Sequence, residues 1–284
     1  MELYNSTITA ARALFEGAPL RRWDYSEGDA WQDTGGSELV LLRDAAFELG
    51  GSGCPSANFT CVTSEEALVP RDEILLCGRD ISELHGDVSF ARLAFLQVEE
   101  VLGQDDEAAF QAIRDMEFVK YHVFPEGYMV RISSESNREQ VRLAKSAIAR
   151  GISFRRVGAD YIRAYHANPH VKKAQIMFIT DHPAVEELAK IAKKVDAITK
   201  TLTHILEGLP TDCGSCTLKP ICDEVEGMRE MHFGIKLHAQ YCAPRSWAKA
   251  RAHEVFCASF SVAPKGRENG ASCIFAMLLH SKNK

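Results

Sequence analysis

"AQIMFITDHPAVEELAKIAKKVDAITKTLTHILEG" occupies residues 174–208. Its first eight residues form an apolar run closed by Asp181, His182 and Pro183, the pattern of a strand buried on both faces. In the remainder, Val185, Leu188, Ile191, Ala192, Val195, Ile198, Leu202 and Ile205 recur every three or four positions, and Gly208 closes the run. That spacing gathers the apolar side chains into one stripe of a helix. A fully buried strand feeding a long amphipathic helix needs a sheet to join and a face to cover, so the stretch predicts an α/β layer.

Upstream, "VGADYIRAYHAN" (157–168) reads as a second helix closed by Asn168 and Pro169, which completes a helix–strand–helix unit. "YMVRIS" (128–133) alternates as a strand, and "ESNREQVRLAKSAIARG" (135–151) reads as a helix with a Ser/Asn start and a stop at Gly151. The N-terminal part is richer in strands. "SELVLL" (37–42) and "DEILLC" (72–77) are short apolar runs bounded by turn residues. Between them, "FELGGSGCPSANFTCV" (47–62) carries a loop marked by Gly50, Gly51, Gly53 and Pro55, while "SFARLAFLQVEEVL" (89–102) fits either strand or helix. The expected architecture is mixed α/β (α+β): a strand-rich N-terminal portion over 1–125, a helix–strand–helix layer with a C-terminal metal-binding segment over 126–250, and an irregular tail over 251–284.

Composition narrows the functional classes. With 46% hydrophobic and 25% charged residues, the 284-residue chain has enough apolar material for an ordinary core. Its formal net charge of −6 gives no basic excess for a nucleic-acid surface. No run of about 18 apolar residues predicts a membrane span, and the first residues lack the pattern of a secretory signal. A cytoplasmic location follows as the expectation. Nine cysteines, an odd number, argue against a closed disulfide framework. In a reducing compartment clustered cysteines point to metal binding or chemistry.

Such a cluster stands just past the long helix. "PTDCGSCTLKPICDEVEGMREMHF" (210–233) spaces its donors Cys213-x2-Cys216-x5-Cys222-x9-His232. Gly214 eases the turn between the first two thiols and Pro220 stiffens the approach to Cys222. Three thiolates and an imidazole suit tetrahedral zinc or a four-iron cluster equally well on spacing alone. Cys242 is the alternative fourth ligand. Asp223, Glu224 and Glu226 read as a solvated face.

Other candidates read as structural. Cys54 and Cys61 fit two unrelated buried thiols better than a second metal pair. "GGSG" at 50–53 matches no nucleotide fingerprint. Arg155 and Arg156 read as an exposed pair on a solvated edge more readily than as an anion site. His122, His166, His170 and His182 fall on loops or helix ends with no partner pattern.

Several segments, in order, carry a family resemblance: "LFEGAPLRRWDYSEG" (14–28), "LLCGRDISEL" (75–84), "MVRISSES" (129–136), "GISFRRVGADYIRAYHANP" (151–169) and "KKAQIMFITD" (172–181). Over roughly residues 14–240 the chain resembles a short, divergent member of the β subunit family of the carbon monoxide dehydrogenase/acetyl-CoA synthase complex. That family holds a four-iron cluster on cysteines spaced Cys-x2-Cys-x8-Cys-x9-Cys, and a second nickel on a later Cys-Gly-Cys. By this resemblance Cys213, Cys216 and Cys222 match the first three cluster ligands, with the second gap three residues shorter, and His232 stands where the fourth cysteine would be. No Cys-Gly-Cys follows here. The resemblance thus implies a 4Fe-4S cluster without the nickel chemistry. It also implies an electron-transfer or accessory role in anaerobic one-carbon metabolism, beside carbon monoxide dehydrogenase/acetyl-CoA synthase-type subunits or a corrinoid protein. The alternatives are an acetyl-CoA synthase-like enzyme joining a corrinoid methyl group, CO and coenzyme A, and a zinc-stabilised structural subunit.

Overall fold

The computed structural model describes residues 2–51, 53–102, 106–133, 138–206 and 216–225. At its centre is β8 (Val171–Thr180), which contains the apolar run that begins at Ala174. It sits in a five-stranded sheet with β1 (Leu20–Asp24), β3 (Ser56–Thr63), β4 (Glu73–Cys77) and β5 (Phe90–Val98), in the order β1-β4-β8-β5-β3. The β4–β8 and β5–β3 pairs are parallel, and β1–β4 and β8–β5 are antiparallel. Every residue of β3, β4 and β5 is buried, so both faces of the sheet are covered.

Helix α4 (Phe154–His166) packs on β4 and β8 across one face. Its N-cap Ser153 accepts a hydrogen bond from the Arg156 amide, and Asp80 accepts another from the Phe154 amide. Phe154 of the helix packs on Phe178 of β8 with ring centres 4.7 Å apart. The long amphipathic helix α5 (Ala184–Leu206) covers the opposite face over β3 and β5, with α1 (Asn5–Ala13) and α2 (Asp106–Phe118) beside it. Its buried residues Val185, Leu188, Ala192, Val195, Ile198 and Leu202 belong to the stripe read from the sequence. The large sheet draws strands from both sides of residue 125.

A second, three-stranded sheet has the order β2-β7-β6, all antiparallel, from β2 (Ala45–Leu49), β6 (Tyr128–Ile132) and β7 (Glu139–Ala144). Here two expectations are corrected. The helix expected over 135–151 is a strand, β7, followed by the short α3 (Lys145–Ala149), with 134–137 outside the described residues. Glu139, Val141 and Leu143 point inward while Gln140 and Arg142 do not, so the period is two, and only the Ala-rich end coils. The expected strand at 37–42 is not a strand; the chain forms one three residues later, as β2. Leu39 and Leu42 are about three-quarters exposed and only Val40 is buried. The edge of β7 is taken by β2, and Arg142 of β7 reaches back to the Val40 carbonyl at 3.1 Å. The segment 89–102, open between strand and helix, is the strand β5.

The two sheets meet at a buried ion pair. Arg92 of β5 grips Glu139 of β7 in a bidentate pair, Nε to Oε1 at 2.9 Å and Nη2 to Oε2 at 2.6 Å, and both side chains are 0% exposed. Beside it Gly50 has φ +60°, and a Cβ there would lie 2.5 Å from the Glu139 carbonyl oxygen. Only glycine permits that approach. Among the described residues no helix is long and apolar enough to cross a membrane.

Candidate metal centre

The expected ligands divide between described and undescribed parts of the chain. Cys213, His232 and the alternative Cys242 lie outside the described residues, as do Gly208, Gly214 and everything beyond residue 225. Cys216 and Cys222 are described, and both are half-buried. Cys216 opens the turn into α6 (Lys219–Glu224): its carbonyl accepts from the Lys219 amide at 3.2 Å. Pro220, with no amide hydrogen to lose, occupies the first turn of that helix. Cys222 lies inside it, its amide donating to the Leu218 carbonyl at 3.3 Å. Lys219 and Asp223, one turn apart, form an ion pair along its outer side. Helix α6 packs against α5, with Ile221 and Cys222 against the core and Val225 buried. The packing of α6 on α5 therefore seats Cys222, and both thiols remain partly exposed. Among the described residues no group of three or more His, Cys, Asp or Glu side chains is placed to hold a metal ion.

The other described cysteines are built differently. Cys61 and Cys77 are strand residues in the core, and burial pushes both thiols up, Cys61 well above its ordinary value. A thiol held protonated is a poor ligand. Cys54 lies in the loop before β3, and about 16 Å of extended strand separates Ser56 from Cys61. Cys54 and Cys61 therefore share no metal.

The histidines have structural work. His122 Nδ1 lies 3.0 Å from the Phe118 carbonyl. His182 Nδ1 accepts from the Ala184 amide at 3.1 Å and so caps α5. His170 takes part in the turn between α4 and β8 through its amide and Asn168. His166 Nε2 pairs with Asp72 Oδ1 at 2.9 Å, a partner 94 residues away that no local pattern reveals. The arginine pair is also engaged within the protein: Arg155 binds Asp29 at 2.6 Å, and the Arg156 guanidinium lies 4.3 Å from the centre of the Trp31 ring.

Two polar features escaped the sequence reading. One is Arg92–Glu139. Burial works against the Arg92 charge, but Glu139 outweighs it and holds the guanidinium protonated. A single arginine inside "FARLAFLQV" was the available signal. The other is Asp160 on α4, 1% exposed, whose carboxyl is pushed up to about 7. Burial is the main cause and Asp33 adds to it, against Arg163, the Trp31 backbone and Arg156. Arg163 donates to one carboxylate oxygen at 2.8 Å, while the other has no partner.

No curated protein matches the chain. The family model described as the CO dehydrogenase/acetyl-CoA synthase complex beta subunit matches residues 36–185, more than half of the chain. The matched segment runs from the approach to β2 to the first residues of α5, and so takes in both sheets except β1 and stops short of the cysteine segment. By that match, the chain belongs to the CO dehydrogenase/acetyl-CoA synthase complex beta subunit family.

Proposed function

We propose that the chain is an iron–sulfur component of a carbon monoxide dehydrogenase/acetyl-CoA synthase-type system. It acts there in electron transfer or as an accessory subunit, in contact with subunits of that complex or with a corrinoid protein. Cys213, Cys216 and Cys222 would hold a 4Fe-4S cluster with His232 as fourth ligand. When bound, the cluster supplies one-electron exchange. The observation that carries this reading is the contrast among the thiols. Cys216 and Cys222 are half-buried around a short helix docked on α5, whereas Cys61 and Cys77 are sealed in the sheet. Two partly exposed thiols six residues apart would be a fitting part of a soft donor set, and the protein's own contribution would be to position them.

A second reading draws on the family itself. A member of it acting as a metalloenzyme would join a methyl group, CO and coenzyme A at nickel.

Anaerobic purification with iron, sulfide, nickel and zinc analysis tests both. About four irons with matching sulfide, no nickel, and an EPR signal on reduction is the expected result. Cys216→Ala and Cys222→Ala should each lose the iron, and Cys54→Ala should keep it. Stoichiometric nickel would establish the enzyme reading instead. One zinc in a colourless protein, or iron retained in both cysteine variants, would sink the cluster assignment.

A further inference from the structure

Away from the cysteine segment, a group of arginines converges on Glu73, the first residue of β4. Glu73 is buried and both of its carboxylate oxygens are engaged. Oε1 accepts from Nε2 of Gln175, its register partner on β8. Oε2 accepts from Arg22 Nη1 of β1 at 3.5 Å and from Arg71 Nη2 at 3.3 Å. The Gln175 amide extends the chain of bonds: its Oε1 accepts from Arg12 Nη2 of α1 at 2.6 Å. The Arg12 guanidinium carbon stands 5.5 Å from the centre of the Phe95 ring. An unbroken set of hydrogen bonds thus gathers three guanidiniums, from α1, β1 and the approach to β4, around one buried carboxylate.

One carboxylate balances one cation. Among the described residues the other anion bonded to the group is Asp24, 83% exposed and 3.7 Å from Arg71 Nη1, an ion pair of little weight. The group therefore holds more positive than negative charge, in a chain whose formal net charge is −6. Part of that excess is poorly solvated. Arg12 is half-buried and spends one nitrogen on a neutral amide, so its Nε and Nη1 bond nothing among the described residues. Burial lowers the Arg12 guanidinium first; Glu73 opposes this and Arg22 adds to it. Arg22 and Arg71 are about half exposed, which leaves the group open to solvent. Arg22 has Nε and Nη2 unused among the described residues. Grouped guanidinium forks with unused edges match oxyanions. A carboxylate offers two oxygens in one plane, whereas forks from three directions suit a tetrahedral anion. Both Glu73 oxygens are covered by their donors, so no free carboxylate edge opposes it.

We propose that Arg12, Arg22 and Arg71 form a binding site for a phosphate group, free or carried on a small molecule, with Glu73 and Gln175 as the base that holds the three guanidiniums together. Arg12 and Arg22 precede the segment matched by the family, and none of the five residues belongs to the cysteine segment. The site is independent of the metal reading.

Thermal unfolding of the full chain in rising inorganic phosphate, with ionic strength held constant by chloride, tests the site. Phosphate at about 100 times its Kd should raise Tm by about 5 °C or more. Arg22→Gln and Arg12→Gln should each weaken the apparent affinity by about 10-fold or more, since each loses a charged hydrogen-bond donor. Arg43→Gln, at an exposed arginine elsewhere, should leave it unchanged. Arg22 is half exposed, so Arg22→Gln decides alone if Arg12→Gln does not fold. Glycerol 3-phosphate in the same series separates the two sources: tighter binding of the ester assigns a phosphorylated molecule, and equal or weaker binding assigns the free ion. A Tm that phosphate raises no more than chloride does overturns the proposal. So does an affinity unchanged by Arg22→Gln, and so does an equal rise with acetate at the same ionic strength.

Discussion

The two sheets solve the same problem in opposite ways. The five-stranded sheet is buried on both faces, because α4 lies on one and α1, α2 and α5 on the other, although polar side chains such as Ser56, Glu73 and Gln175 are buried among its apolar ones. The three-stranded sheet alternates inward and outward residues, and it meets the larger one through a charge, Glu139, set against Arg92. The first is held by area, which is forgiving, since many residues share it. The second depends on a pair that is costly to desolvate and tolerable only when both members are present.

The largest expected effect comes from breaking that pair on one side. Glu139→Ala leaves Arg92 charged and unpaired in the interior, and should cost about 3–5 kcal/mol of stability in urea unfolding. Arg92→Met combined with Glu139→Leu removes both charges and should recover most of that loss. If Glu139→Ala cost less than about 1 kcal/mol, the small sheet would be held by something other than the pair.

The same contrast decides what could be read from the sequence. Strands β4 and β8 and helix α5 were legible because burial on both faces writes continuous apolar runs, and a covering helix writes a stripe. Strand β7 was not. Its inward Glu139 looks like a surface residue, and Val141, Leu143, Ala144, Ala147 and Ile148 mimic helical spacing. The run at 37–42 failed for the converse reason: leucines normally mark a buried strand, and here two of them face solvent. At the candidate centre, chain-local spacing exposed the cysteines, whereas the partners that matter elsewhere, Asp72 for His166 and Glu139 for Arg92, are 94 and 47 residues away. Pairing across such distances is decided by the sheet order, which no local window contains.

A second join between the regions responds to pH. Asp160 on α4 faces the segment 31–34, which pairs with the entry to β6 through Asp33 and Pro125, the Thr34 amide and the Phe124 carbonyl, and the Trp31 indole and the Glu126 carbonyl. The charged and titratable groups around Asp160 include Arg163, Asp33, Arg156, Tyr25 and Tyr161. Its folded pKa of about 7 lies above the ordinary carboxylate value, so between about pH 4 and 7 the folded state binds the extra proton. Stability should therefore fall as pH rises through that window and level off above it. Asp160→Asn keeps an oxygen for Arg163 and cannot ionise, so it should flatten that slope and gain about 2 kcal/mol at pH 8. An unchanged slope in the variant would place the titration elsewhere.

The smallest effect probes the forgiving region, where two opposing contributions nearly cancel. Gly158 sits mid-way along α4, and a Cβ there would meet Ile74 Cγ1 and Cγ2 of β4, each at 2.7 Å, and Phe178 Cε2 at 3.2 Å. Alanine favours a helix over glycine by about 1 kcal/mol. Overpacking a close helix–sheet contact costs about 1–3 kcal/mol. Ile74 is β-branched and fully buried, so both of its contacting carbons are fixed to the strand and cannot swing aside. Strain should win by about 1 kcal/mol, and Gly158→Ala should lower the urea midpoint slightly. The decisive comparison uses Ile74→Ala as the background. Both clashing carbons are then gone, the new methyl fills part of the space they leave, and Gly158→Ala should become stabilising. A sign that does not reverse would show that α4 is seated on the large sheet by something other than this contact.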